Sequence, residues 1–179
     1  MLNRLAVAAL ASALVSGCAH TQTRPDGGTG LLPVGAVASE LVGKDVRGKE
    51  FRLSSLRGHP VVVYFYPKDE SPGCTSEACA FRDYYLKYQA EQATIFGVSE
   101  DTEESHAEFL ANHSVPFPLV ADEDGSVAEA YGVPTTLGLT ARVTFLIGPD
   151  GRVQRVWPNV DPGVNADEVL AAIKSGAKP

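Results

Sequence analysis

Pro60 to Tyr66, PVVVYFY, is an unbroken apolar run rich in β-branched and aromatic residues. Such a run suits a strand covered on both faces, not one with a wet side. From about Pro72 to Gln92 the spacing changes. Cys74, Ala78, Phe81, Tyr85 and Tyr88 recur at helical intervals, which predicts one amphipathic helix. TIFGVS, Thr94 to Ser99, returns to strand character. A helix over about Glu103 to Asn112 and a short strand at Phe117 to Val120 follow. The next helix, Ser126 to Tyr131, stops at Gly132. RVTFLI and RVQRVW, joined by Gly148-Pro149-Asp150-Gly151, predict a hairpin. Asn165 is expected to cap a last helix that carries Asp167 and Glu168 in its first turn and ends near Gly176. Upstream, ELVGKDVRGKEFRL predicts another hairpin, turning at Arg47-Gly48-Lys49. Strands that alternate with helices in this order imply an α/β sandwich: a mixed central sheet, helices on its faces and a hairpin at its N-terminal end.

The first 32 residues do not follow this pattern. MLNRLAVAALASALVSGC has an apolar run from Leu5 to Val15, shorter than the ~20 residues a bilayer span needs. It reads as an export signal over residues 1–17. Val15-Ser16-Gly17-Cys18 resembles a bacterial lipobox, which implies cleavage before Cys18 and lipidation of its sulfur. The alternative is an ordinary cleaved signal followed by an incidental cysteine. Acyl chains at about 0.8 kcal/mol per buried CH₂ would hold the chain on a membrane. Ala19 stands where an acidic residue would favour inner-membrane retention, so an outer-membrane anchor facing the periplasm is the expectation. Residues 18–32, rich in Thr, Gly and Pro, read as a flexible tether with a reach of roughly 20 Å. The folded domain is expected over residues 33–179.

Composition narrows the function. A formal net charge of −7, with no basic run, disfavours nucleic-acid binding. No zinc or EF-hand spacing and no phosphate-cradling glycine loop is present, so no cofactor or metal is expected. His106 and His113, seven apart, are too distant for one metal and read as solvent-facing or structural. Of the three cysteines, the lipidation reading leaves Cys74 and Cys79.

Cys74 falls in the first turn of the helix after the most apolar strand, where α/β sheets place reactive groups. Unpaired amides and a partial positive charge at a helix N-terminus favour a thiolate. Pro72 fits the first turn, Gly73 lets a small ligand approach, and Ser71 can cap the helix and face the sulfur. Asp69, Glu70 and Glu77 crowd the loop with negative charge, so a cation must come from elsewhere; Arg142, at the head of a buried strand, is the candidate.

Pro67-x-x-x-Ser71-x-x-Cys74 resembles the peroxiredoxin signature Pro-x-x-x-(Thr/Ser)-x-x-Cys. YPKDESPGCTSEACAFRD, GVSEDTEESHAEF, AYGV, RVTFLI and VWPNVDP are similar to the Q, or bacterioferritin-comigratory, subfamily. The resemblance implies a thioredoxin-like fold and a thiol peroxidase without cofactor. It implies that Cys74 attacks the peroxide and that Ser71 bonds the sulfur and the substrate oxygen. It further implies that Pro67 shields the pocket, Arg142 stabilises the charge, and Glu77 orients an arginine. Cys79 would resolve the sulfenic acid as an intramolecular disulfide, recycled by a thioredoxin-like reductant, with no partner subunit required. A monomer is therefore expected. Ser71 replaces the commoner threonine, which removes a rotamer-fixing methyl. A general thiol–disulfide oxidoreductase of thioredoxin type is the main alternative, and the four residues between the cysteines depart from its C-x-x-C spacing. Within one helix the two Cα atoms would lie roughly 8–9 Å apart, beyond the ~7 Å limit for a disulfide. The helix must therefore unwind for that bond to form.

Overall fold

The structure is a computed structural model that describes residues 23–176. The signal segment 1–17 and the lipidation residue Cys18 lie outside the described residues. The chain runs β1 (Val42–Lys44), β2 (Glu50–Arg52), a 3-10 turn (Leu53–Leu56), β3 (Val61–Phe65), α1 (Pro72–Asp83), α2 (Tyr85–Ala90) and β4 (Thr94–Ser99). It continues with α3 (Glu103–His113), β5 (Leu119–Ala121), α4 (Ser126–Tyr131), β6 (Thr135–Thr136), β7 (Leu139–Thr140), β8 (Val143–Ile147), β9 (Val153–Trp157) and α5 (Asn165–Lys174). Seven strands form one mixed sheet in the order β2-β1-β5-β4-β3-β8-β9. β3, β4 and β5 are parallel, whereas β8 and β1 join them antiparallel.

β3 explains the continuous apolar run. Val62, Tyr64 and Tyr66 point into one core with Phe81, Tyr88, Phe109 and Leu170, while Val61, Val63 and Phe65 point into the other with Phe96, Tyr131 and Phe145. With side chains alternating between faces, a strand covered on both sides has no polar face. α1, α2, α3 and α5 cover the first face; α4, the 3-10 turn and the N-terminal chain cover the second. This is the expected thioredoxin-like α/β sandwich.

Three local expectations need correction. The first is the tether. Residues 23–32 are packed, not flexible: Arg24 is buried, its Nη1 donates to the carbonyls of Thr29 (3.2 Å), Gly30 (2.7 Å) and Leu31 (3.3 Å), and its Nε to Asp26 (3.2 Å). Leu32 is buried, and its N–H donates to the Tyr131 carbonyl at 2.8 Å. The folded domain thus begins near Thr23, because its second face needs this segment as a cover. Secondly, the helix expected over 72–92 is two helices, broken at Tyr84, and α2 docks on α5 through the Tyr88 hydroxyl on the Ala166 carbonyl at 2.6 Å. Thirdly, Asn165 is not a solvent-side cap. It is the first residue inside α5, fully buried, and its Oδ1 accepts the Thr144 hydroxyl at 2.8 Å. Thr144 projects from the middle of the sheet and needs a polar partner there.

Candidate active site

The sheet brings the C-terminal ends of β3 and β4 beside the N-terminal end of β8. α1 follows β3 after the loop 66–71, with Pro72 as its first residue. Its first backbone bond runs from the Thr75 N–H to the Ser71 carbonyl at 2.9 Å. Pro72 has no N–H, so the Gly73 and Cys74 amides are left for a ligand at the helix mouth.

Cys74 is buried in that first turn, and its sulfur accepts a hydrogen bond from Arg142 Nη2 at 3.2 Å. Arg142 directly precedes β8, which pairs with β3, and this pairing carries its guanidinium across to α1. A Cβ on Gly73 would sit 3.3 Å from the same Nη2, so glycine keeps the approach open. Arg142 Nη1 bonds Glu77 Oε2, which ties both residues into one cluster with the sulfur. Glu77 is fully buried, and its second oxygen has no partner among the described residues. Burial pushes the Glu77 carboxyl up to about 7, with Arg142 pulling against that rise. Burial also works against the Arg142 charge, but Glu77 and the Cys74 sulfur outweigh it and its pKa is raised.

Cys79 is a free, half-buried thiol in the same unbroken α1 as Cys74. Ser71 stands just before the helix, yet its hydroxyl donates to the Lys68 carbonyl at 2.9 Å and, among the described residues, bonds neither the sulfur nor a helix amide. The pull of a nearby carbonyl overrides the capping geometry expected from sequence. Pro67, half-buried, opens the loop after Tyr66.

A second polar cluster lies behind this loop, and the sequence reasoning missed it. Asp69 is buried and accepts from Tyr66 Oη, Ser105 Oγ and His106 Nδ1, each at 2.8 Å. Burial raises the Asp69 pKa, but the His106, Tyr66 and Ser105 bonds outweigh it and hold the carboxyl below its usual range. His106 is therefore structural but not solvent-facing. His113 pairs with Glu70 at 2.8 Å. The available signal was the seven-residue spacing, which puts both imidazoles on one helix face.

A buried cysteine at a helix mouth, bonded by a guanidinium that also holds a buried glutamate, fits the arrangement implied by the sequence motif. The AhpC/TSA family model matches residues 34–156. The chain is a peroxiredoxin of that family. Its relatives include peroxiredoxin Q of Sedum lineare chloroplasts, 44% identical over 74% of this chain and 73% of the relative. Peroxiredoxin Bcp of Bacillus subtilis is 37% identical over 80% of this chain and 96% of the relative. Among solved structures, the Xanthomonas campestris bacterioferritin comigratory protein, described for alkyl peroxide reduction, superposes with a TM-score of 0.73 at 36% identity. That match covers 83% of this peroxiredoxin and 99% of the other chain. These similarities support the Q/Bcp branch, and this peroxiredoxin is a thiol-dependent peroxidase.

Proposed function

We propose that Cys74 is the peroxidatic thiol and Cys79 the resolving one. The Cys74 thiolate attacks the distal oxygen of ROOH, the O–O bond breaks, and with one proton the products are ROH and Cys74–SOH. The Cys79 thiol then displaces water from the sulfenic acid, forming the Cys74–Cys79 disulfide. A thioredoxin-like dithiol returns both cysteines to thiols and leaves as a disulfide. Arg142 holds the reacting sulfur and the charge that shifts onto the departing oxygen, with the Gly73 and Cys74 amides as the other donors. Glu77 holds Arg142 in place, Pro67 shields the pocket, and Ser71 turns its hydroxyl from Lys68 to the substrate oxygen on binding. The observation that carries this reading is the 3.2 Å contact from Arg142 Nη2 to Cys74 Sγ at a helix N-terminus. Because both cysteines share α1, resolution needs no second subunit, and the enzyme works as a monomer.

The test is peroxide consumption by wild type, Cys74→Ser and Cys79→Ser with dithiothreitol as reductant. Cys74→Ser is expected to be inactive and Cys79→Ser to keep turnover; an active Cys74→Ser protein rules the assignment out. The chain is further read as lipid-anchored through Cys18, facing the periplasm from the outer membrane. Packing that begins at Thr23 leaves five positions from Cys18, a span of at most about 18 Å, so the domain would ride close to the bilayer. Incorporation of labelled palmitate that survives Cys18→Ala would refute the anchor.

A further inference from the structure

The loop from Tyr66 to Ser71 sets the direction in which α1 leaves the sheet, and with it the aim of the Gly73 and Cys74 amides. It has little backbone support: the Tyr66 N–H reaches the Val98 carbonyl, and Glu70 sits at φ +57° in the left-handed region, which costs a non-glycine residue energy. The Thr140 hydroxyl on the Tyr66 carbonyl (2.6 Å) and the Ser71 hydroxyl on the Lys68 carbonyl (2.9 Å) hold its two ends, and side chains of α3 and its leader restrain its middle. Asp69 takes Ser105, His106 and Tyr66 on its carboxylate and gives its own N–H to Asp101 Oδ2 at 2.8 Å. Glu70 takes His113 at 2.8 Å and Asn112 at 3.0 Å. Two consecutive loop residues are thus gripped at points two helical turns apart on α3.

His106 is the centre of this grip. Its Nδ1 faces a carboxylate, and its Nε2 faces the Val120 carbonyl at 3.1 Å. Both partners are oxygen acceptors, so the ring is held from two sides, between the α3-facing loop and β5. The ring makes no hydrogen bond to Cys74, Arg142 or Glu77 among the described residues.

We infer that His106 is a positioning residue for peroxide attack. Through Asp69 it fixes the loop that aims the α1 amides at the peroxide oxygen. The inference deepens the assignment of Cys74 and rests on it. Loss of aim slows a reaction that needs aligned donors around the O–O bond, but spares one that needs only an accessible thiolate.

The experiment measures two rates for Cys74 in the full chain carrying Cys79→Ser: reaction with hydrogen peroxide and alkylation by iodoacetamide. His106→Leu should lower the peroxide rate about tenfold or more while alkylation changes less than about twofold. His106→Asn places an N–H where Nδ1 was and should recover most of the peroxide rate. Parallel falls in both rates, no fall in either, or no recovery with asparagine would each overturn the inference. If His106→Leu does not fold, Asp69→Asn carries the same rate comparison with the loop's size and shape kept. A parent protein inert to peroxide would instead remove the Cys74 assignment, whatever the ratio of rates.

Discussion

Bringing Cys74 and Cys79 together must carry Glu77 out of its burial, because it lies between them on α1. That movement is linked to pH. Wound into the helix, Glu77 titrates at about 7; exposed to water, it returns to about 4.5. The gap between these values corresponds to about 3 kcal/mol. The sign follows from proton binding. The wound form holds the proton more tightly, so Glu77 favours it fully below about pH 4.5, and that preference is lost as pH rises through about 7. Opening of α1 in the dithiol protein should therefore grow by roughly two orders of magnitude between pH 4.5 and 7. Native-state hydrogen exchange at the α1 amides, corrected for intrinsic exchange rates, measures that opening directly. Glu77→Gln cannot ionise and should show a flat profile. Equal opening free energies at pH 5 and 7.5 in wild type, or a slope that persists in Glu77→Gln, would refute the linkage.

Other outcomes follow from single contacts. Arg142→Met removes the cation from the Cys74 sulfur and should lower the peroxide rate by about 10²–10³; stopped-flow kinetics showing less than a tenfold loss would contradict its role. Arg142→Lys should recover only part, because an ammonium cannot serve Cys74 and Glu77 with one planar fork. Thr144→Val leaves the buried Asn165 amide, whose Nδ2 already lacks a partner among the described residues, without its oxygen's donor as well. A loss of about 1–3 kcal/mol in urea unfolding is expected, and an unchanged midpoint would count against it. Gly132→Ala puts a Cβ 1.9 Å from the Gly30 carbonyl at φ +66°, so it should expel residues 23–32. Faster chymotryptic cleavage after Leu31 checks this; an unaltered cleavage rate would mean that the segment is not held there.

Residues whose environment is set by near neighbours along the chain were legible from sequence. PVVVYFY revealed β3 because alternation in a strand buried on both faces leaves no polar positions. The proline and glycine before Cys74 marked the start of α1 because helix starts select such residues locally. Arg142 was a candidate from its place at the head of a buried strand and took its role from the resemblance, but its 3.2 Å contact with Cys74 spans 68 positions and is made only by the fold. Nothing short-range announces such a pairing.

From sequence alone came the alternation of the sheet's strands with helices, the doubly buried strand and the helix-mouth cysteine, all of which depend on periodicity and local backbone preference; the break at Tyr84 and the small β6–β7 pair did not. The tertiary structure alone decided where polar groups found partners once water was excluded. Ser71 turned to Lys68, Asn165 went inward to Thr144, His106 closed on Asp69, and Arg24 gathered the carbonyls of its own glycine-rich segment. In each case the choice rests on which donor and acceptor the packed layers bring within about 3 Å, a distance set by the whole fold.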